Sequence, residues 1–202
     1  VDQPSPEDSY FHTAPMSHAD GLYAIPHLIK ASHHVVPESG GFNVEEIFGL
    51  LETYKNATFM AAPTMLTRMT NHPKASEARS ENIKTIYYGG APMYLEDTKR
   101  AIATFGPCIM QIFGQGESPN TGTSLSKALH ADYDNPKYEK RLSSVGLPRT
   151  GVEVRIFDEN DNEVPTGEVG EIVLRSDVVM AGYWNNPEAT SSTIRDGWLP
   201  TG

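Results

Sequence analysis

The chain is poor in cysteine and has fewer basic than acidic residues. Its one cysteine, Cys108, has no disulfide partner within the sequence, which is typical of a reducing compartment and predicts a cytoplasmic location. A single cysteine also excludes a zinc site built from several thiolates. Lysine and arginine total 16 against 26 acidic residues, giving a net charge of −10. Nucleic acid is therefore disfavoured as a partner, because proteins that bind phosphate backbones concentrate positive charge on one face.

Long apolar runs and several common ligand motifs are also missing. The longest uncharged apolar stretches, such as TFMAAPTML, contain proline and are much shorter than the roughly 20 residues of a membrane helix, so we expect no integral membrane segment. No GxxxxGK[ST] sequence occurs, which disfavours a P-loop. The histidines form no HExxH pair, and DENDNE lacks the glycine and the final glutamate of a calcium loop. We expect no transition metal and interpret DENDNE as a solvated hairpin turn.

In the first part of the chain, β-rich runs alternate with stretches of helical spacing. The runs are SYFHTAP, HHVV, TFMAA, KTIYYGG and CIMQIFG. This alternation predicts an α/β fold with a largely parallel sheet flanked by helices. Asn43 is placed to cap a helix in which Val44, Ile47 and Leu51 share one face. A second helix, within MYLEDTKRAIATFG, is expected to end at Gly106.

After about Arg141 the helical period disappears. The strand-like segments VEVRIFD and EVGEIVLRS are joined by a polar stretch, which predicts antiparallel hairpins in a barrel-like subdomain. We therefore place a boundary near Leu142, between an α/β subdomain at 1–141 and a β-rich subdomain at 142–202. With 202 residues, 38% of them hydrophobic, the chain is long enough for one substantial core or two modest ones.

Two apolar runs end in glycine-rich turns: IYYGGAP at 86–92 and QIFGQGES at 111–118. Glycine lets backbone amides approach a nucleotide where a side chain would block it. Taken alone, GGAP is better explained as an ordinary strand-to-helix turn, but the second run favours a nucleotide site. The candidate cofactor-binding residues are Gly89, Gly90, Ala91, Pro92, Gln111, Ile112, Phe113, Gly114, Gln115 and Gly116.

These two runs, together with GEVGEIVLRSDVVMAGYWNNPEATSSTIRDGWLPTG, resemble the adenylate-forming (AMP-binding) superfamily and are most like its acyl-CoA synthetases. The resemblance extends from about Phe11 to Gly202. It implies a ligase of fatty acid metabolism that uses ATP/AMP, Mg²⁺ and coenzyme A. A carboxylic acid would first be converted to acyl-AMP with release of pyrophosphate, and the thiolate of CoA would then displace AMP.

The resemblance also implies roles for single residues of FGQGE. Phe113 takes the tyrosine position of the family's Tyr-Gly-x-Thr-Glu motif and keeps an aromatic face for adenine. Glu117 matches the glutamate that helps to hold Mg²⁺, and the alternative is a carboxylate at a helix start. Gly116 stands where the family usually has a threonine that contacts the α-phosphate. Because Gly114 and Pro119 lie nearby, we expect a positive φ at Gly116, or space there for a bulky acyl group.

His18, in TAPMSHADGLY, matches the histidine of the family's Phe-His-x-x-Gly stretch, between the acyl pocket and the pantetheine tunnel. The amino-acid-activating branch has aspartate there, so histidine points to a plain carboxylic acid. With Glu117, His18 is our candidate catalytic residue. The alternative is a structural histidine whose hydrogen bonds are satisfied.

Segments 60–65 and 88–90 are candidates for the acyl trough, although core packing explains them equally well.

The family's phosphate loop, ribose-binding aspartate and catalytic lysine have no match in this sequence. We therefore expect the chain to be the middle of a larger enzyme and to be inactive alone. An adenylating module that loads a carrier protein, a degenerate nucleotide-binding member and a luciferase-type oxygenase stay open as alternatives. The identity of the acid and the oligomeric state, including a homo-oligomer, are also open.

Overall fold

The computed structural model describes residues 3–202, apart from the side chains of Asn120 and Thr121. The strands are β1 (Ser9–Phe11), β2 (His33–Val35), β3 (Ala57–Ala61), β4 (Ile83–Gly89), β5 (Ile109–Gln115), β6 (Ser118–Leu125), β7 (Leu147–Pro148), β8 (Glu153–Phe157), β9 (Glu171–Arg175) and β10 (Leu199–Pro200). The helices are α1 (Ala19–Ile29), α2 (Val44–Thr53), α3 (Pro63–Thr70), α4 (Leu95–Phe105), α5 (Lys127–His130), α6 (Tyr138–Leu142) and α7 (Pro187–Thr193). Within the described part of the chain, no helix has the length and apolar character needed to cross a membrane.

The chain divides into two compact units. Unit 1 contains the described residues up to Ile112 together with Leu125–Gly146, and unit 2 contains Phe113–Ser124 and Leu147–Gly202. The units therefore do not follow a single cut in the sequence, because β5 passes from one to the other. The division into functional domains near Leu142 stays a prediction.

Unit 1 is built around parallel strands in the order β2-β1-β3-β4-β5. Successive strands are connected through α1, α2, α3 and α4, which is the β/α alternation expected from the sequence. The predicted α/β class with a largely parallel sheet is confirmed.

Side chains on the two faces of this sheet enter different hydrophobic clusters. Phe59, Ile86 and Ile109 pack in the larger cluster with residues of α2, α3 and α4. Met60 and Tyr87, the next residues along β3 and β4, belong to a smaller cluster with Met110 and Ile112, and Ala19 and Tyr23 of α1 pack against it. This alternation follows from the two-residue period of a strand.

The ends of two helices are set by the residues that the sequence indicated. The side chain of Asn43 accepts a hydrogen bond from the backbone N–H of Glu46 at 3.1 Å, which caps α2. Gly106 ends α4 with a φ of 80°. Only glycine adopts that angle readily, so the helix stops there.

Unit 2 is antiparallel. β9 pairs with both β8 and β10, and β6 pairs with β7. DENDNE is a turn in which the Asp158 carboxylate accepts the backbone N–H groups of Asn160 and Asn162 at 2.9 and 2.8 Å. The predicted antiparallel hairpin is therefore present, as part of a three-stranded sheet.

Candidate functional site

The two glycines at the end of β4 in unit 1, Gly89 within the strand and Gly90 just after it, have different surroundings. A Cβ added at Gly89 would lie 2.3 Å from the carbonyl oxygen of Ile112, which is its partner on β5. Gly89 is thus needed for the close approach of two strands. Gly90 has a φ of 81° and is exposed, as are Ala91 and Pro92. Of the pair, Gly90 is the one whose backbone is open to a ligand.

Gln111 lies on β5 next to this turn, paired with Tyr88 of β4. Its side chain is buried, and its Nε2 donates to the carbonyl oxygen of Ile112 at 3.2 Å. The amide oxygen Oε1 is also buried and has no hydrogen-bond partner among the described residues. Because a buried acceptor without a donor costs free energy, Oε1 is a position where a ligand N–H would be stabilised.

Gly116 and Glu117 form the turn between β5 and β6 in unit 2. The interpretation of Glu117 as a helix-start carboxylate is wrong, because a strand and not a helix follows it. The expectation of a positive φ at Gly116 is also wrong: its φ lies outside the left-handed region, and nothing lies within 4 Å of an added Cβ. Gly116 is therefore not required by the backbone of this turn.

Glu117 is held by the segment that precedes α7. The phenol of Tyr183 donates to its Oε1 at 2.6 Å, and the backbone N–H of Met180 donates to its carbonyl oxygen at 2.8 Å. The hydrogen bond to Glu117 raises the pKa of Tyr183. Oε2 of Glu117 has no hydrogen-bond partner within the described part of the chain, so it is available to a cation.

The rest of the second motif is partly buried. Phe113, Gly114 and Gln115 have intermediate exposure at the end of β5. The side-chain amide of Gln115 donates to the carbonyl oxygen of Pro200 at 3.3 Å, within unit 2. Whether the ring of Phe113 stacks on adenine stays a prediction.

His18 is exposed at the N-cap position of α1, and its side chain makes no capping hydrogen bond. Its backbone N–H donates to Pro15 at 3.0 Å, and its carbonyl oxygen accepts from Gly21 at 3.2 Å. Its imidazole has no partner among the residues that the structure describes. The alternative of a satisfied structural histidine therefore has no contact to support it, and the catalytic role stays a prediction.

The candidate acyl-trough segments are largely in the core. Ala61 and Tyr88 belong to the larger cluster, and the hydroxyl of Tyr88 lies 2.9 Å from Nε2 of His130. Met60 belongs to the smaller cluster beneath α1. Core packing thus explains Ala61 and Tyr88, and Met60 is the member of these segments that lies on the same face of the sheet as α1.

Two further findings concern cavities and metals. A cleft of about 460 Å³ lies at the start of α2, lined by Phe42, Arg68 and His72 among others, and contains none of the predicted site residues. Among residues 3–202, no group of three or more His, Cys, Asp or Glu side chains is arranged to hold a metal ion.

Sequence reasoning missed two sets of polar side chains that could serve binding or catalysis. Tyr183 contacts Glu117 across 66 positions of sequence, and no local pattern marks it. His12, Asp20 and His34 form a buried hydrogen-bonded cluster in unit 1. On sequence alone, His12 and His34 are weighed only as metal ligands, and the signal that could have found the cluster is the parallel pairing of β1 with β2.

Comparisons with known proteins agree with this arrangement. The medium/long-chain-fatty-acid–CoA ligase FadD8 of Mycobacterium tuberculosis is 36% identical over 188 residues, which cover 93% of this chain and 31% of that protein. The fatty acid–[acyl-carrier-protein] ligase ScoC of Streptomyces coeruleorubidus is 28% identical, over 93% of this chain and 35% of that protein. The chain thus spans about a third of the length of these curated relatives.

Among solved structures, the amide bond synthetase McbA of Marinactinospora thermotolerans is similar with a TM-score of 0.86 and 28% identity, over 98% of this chain and 38% of that one. The family model described as AMP-binding enzyme matches residues 1–184, which include both glycine-rich runs, His18 and Glu117. By this match the chain belongs to the AMP-binding enzyme family.

Proposed function

We propose that the complete protein is an ATP-dependent acyl-CoA synthetase that converts a carboxylic acid to acyl-AMP and transfers the acyl group to CoA. The observation that carries this proposal is the match of an AMP-binding family model to the segment containing both glycine-rich runs. The identity to a fatty-acid–CoA ligase supports an acyl chain as substrate.

The surroundings of the first run fit an adenine ring. Gly90 to Pro92 offer exposed backbone, and Gly90 has no side chain to obstruct a flat ring. Gln111 supplies a buried amide oxygen that has no hydrogen-bond donor among the described residues. The amino group of adenine would be such a donor. We assign Gly89 to strand packing and assign adenine contact to Gly90, Ala91, Pro92 and Gln111.

The donor set at Glu117 fits a magnesium ion carried by ATP. Mg²⁺ is usually held by one or two carboxylates together with substrate phosphates and water, and no larger protein cluster is required. When bound, the ion would neutralise charge on the departing pyrophosphate. Tyr183 holds Oε1 of Glu117 and leaves Oε2 for the ion.

The reaction would proceed in two displacements. An oxygen of the substrate carboxylate attacks the α-phosphorus of ATP, and the bond to the bridging oxygen breaks as pyrophosphate leaves. The thiolate of CoA then attacks the acyl carbon, and AMP leaves with the bonding electrons. We place His18 beside the carboxylic acid, because its imidazole is exposed and engaged by no described residue. Cys108 is the one cysteine of the sequence, which supports a cytoplasmic location.

The acceptor of the acyl group defines a second candidate function. The similarity to a fatty acid–[acyl-carrier-protein] ligase supports a module that loads a carrier protein. Supplying the complete protein with pre-formed acyl-AMP and either CoA or a phosphopantetheinylated carrier protein distinguishes the two. Faster consumption of acyl-AMP with CoA supports the synthetase, and faster consumption with the carrier protein supports the loading module.

The variant Glu117→Gln tests the magnesium assignment in the complete protein. We expect carboxylate-dependent ATP–pyrophosphate exchange to fall by at least about tenfold, because a neutral amide is a poor ligand for a hard cation. Thiolysis of pre-formed acyl-AMP should change much less, since no pyrophosphate leaves in that step. Glu168→Gln, at an exposed position of unit 2, is the matched control. Equal losses in both steps would contradict the assignment.

A further inference from the structure

A buried polar cluster in unit 1 joins three elements that the mechanism above does not use. Nδ1 of His12, just after β1, lies 2.7 Å from Oδ2 of Asp20 in the first turn of α1. Nε2 of His12 lies 3.0 Å from Nδ1 of His34 on β2. Asp20 is 1% exposed and His12 is 8% exposed. A carboxylate is thus enclosed in the fold with a chain of two imidazoles.

The hydrogen bonds of this cluster have one consistent direction when Asp20 is ionised. A carboxylate only accepts, so Nδ1–H of His12 donates to it. Nε2 of a neutral His12 then carries a lone pair and accepts from Nδ1–H of His34. The hydroxyl of Tyr10 donates to the backbone carbonyl of Asp20 at 2.9 Å, and the backbone N–H of Ala14 hydrogen-bonds to the carboxylate. Asp20 is therefore tied to β1, to the segment after it and, through His12, to β2.

Buried charges of this kind contribute little net stability compared with apolar side chains of the same size, because desolvating the carboxylate costs several kcal/mol. Burial accordingly raises the pKa of Asp20 and lowers the pKa of His34. The cluster instead fixes the relative positions of the segments that carry its side chains, because each hydrogen bond restricts a direction as well as a distance.

The geometry that it fixes is that of the loop between His12 and Asp20, which carries His18. At the start of this loop, the backbone N–H of His12 donates to Val35 at 2.9 Å. At its end, the loop packs against α1 so closely that a Cβ at Gly21 would lie 1.9 Å from the carbonyl oxygen of Met16. The imidazole of His18 has no hydrogen-bond partner among the described residues. Its position therefore depends on the loop and on what anchors the loop.

We propose that Asp20, His12 and His34 form a positioning network that holds the loop bearing His18 and thereby sets how tightly the carboxylic acid is bound. This inference rests on the proposed function, in which His18 lies beside the acid. It assigns no direct contact with substrate to the three residues. They act through the backbone that connects β1 to α1.

The variant Asp20→Asn in the complete protein tests the network. The amide keeps the size of the side chain but removes the charge that the His12 N–H is bonded to. We expect KM for the carboxylic acid to rise about tenfold, the cost of one charge-assisted hydrogen bond, and KM for ATP to stay within about twofold. Equilibrium binding of the acid, measured by calorimetry, should weaken by the same factor.

Asp8→Asn is the matched control. Asp8 is also a buried carboxylate of unit 1, 2% exposed and paired with Lys84 at 2.5 Å, but it precedes β1 and does not contact the loop. Both variants should lower thermal stability, and only Asp20→Asn should weaken acid binding. Equal rises in both KM values, or the same change with Asp8→Asn, would overturn the proposal.

Substitutions of His34 provide a second, milder test at a half-buried position. His34→Asn still supplies an N–H near the position of Nδ1 to Nε2 of His12 and should retain the acid KM, whereas His34→Leu should raise it. His18→Ala separates this inference from the proposed function. If His18→Ala weakens acid binding and Asp20→Asn does not, the network is refuted and the function stands. If His18→Ala has no effect on the acid, the assignment of His18 fails, and the positioning role fails with it.

Discussion

At the scale of single residues, the glycines of the two runs serve different purposes. Gly89 makes room for β5, since an added Cβ would meet the backbone of Ile112. Gly90 has a φ of 81°, which residues with a Cβ rarely adopt. Gly116 has neither constraint, because its φ is ordinary and the space around its Cα is open. Gly116 is thus the member of this group that the fold allows to be replaced.

We therefore predict that Gly116→Thr in the complete protein raises carboxylate-dependent ATP–pyrophosphate exchange. A threonine hydroxyl donating to a charged phosphate oxygen contributes roughly 1.5 to 3 kcal/mol, which corresponds to about tenfold to a hundredfold in rate. The measurement is isotope exchange with a panel of acids. Gly41→Thr, at another glycine with nothing within 4 Å of its Cβ, should leave exchange unchanged.

A decrease in exchange with Gly116→Thr, or a shift of preference towards smaller acids, would contradict this prediction. Either result would mean that bound substrate occupies the space that the free protein leaves open beside Gly116. Sequence alone favoured that outcome through the neighbouring Gly114 and Pro119. Those neighbours did not determine the angle: Gly116 lies in the turn between β5 and β6, and its φ is outside the left-handed region.

At the scale of secondary-structure elements, the sequence predicted those whose cues are local. The cap at Asn43 and the stop at Gly106 depend on backbone groups a few residues away, and the period of α2 matches its buried face. α1 carries no such signal. Leu28 and Ile29 are exposed on it, whereas Asp20 and His27 are buried. The buried polar residues of α1 contact residues on and next to β1 and β2. The order of buried and exposed residues in α1 can therefore be explained only once those strands are paired.

His130 provides a prediction at this scale, because it connects the short helix α5 to β4. Nδ1–H donates to the carbonyl oxygen of Ser126 at 2.8 Å, and Nε2 accepts from the hydroxyl of Tyr88 at 2.9 Å. Only the neutral imidazole satisfies both contacts. Burial lowers the pKa of His130 from 6.5 to about 4.

In the unfolded chain, His130 therefore binds a proton below about pH 6.5, whereas in the folded chain it binds one only below about pH 4. The contribution of His130 to stability is complete above pH 6.5 and is lost as pH falls through this window, by on the order of 3 kcal/mol. Denaturant unfolding between pH 7 and 4 measures it. His130→Gln should reduce the slope of stability against pH, and His33→Gln, at an exposed histidine, should not. An unchanged slope in His130→Gln would show that another group titrates.

At the scale of the whole molecule, long-range contacts explain why parts of the site could not be predicted from sequence. Glu117 was identified from its motif, but its partner Tyr183 comes from a segment 66 positions away. His12 and His34 are neighbours only because β1 and β2 are parallel, with Tyr10 opposite His34. A single sequence carries the motif residues, whereas their supporting contacts depend on the assembled fold.

The chain also spans only 31% of the length of FadD8, so the contacts it supplies are a part of those that the family's enzymes provide. We predict that the 202-residue chain alone, incubated with ATP, Mg²⁺ and a panel of carboxylic acids, releases no pyrophosphate above background. Losing several transition-state contacts together removes many orders of magnitude in rate. The complete protein under the same conditions is the positive control, and a cooperative unfolding transition of the chain alone verifies that it is folded. Robust, acid-dependent release by the chain alone would overturn the prediction, because all groups essential for adenylation would then lie between Val1 and Gly202.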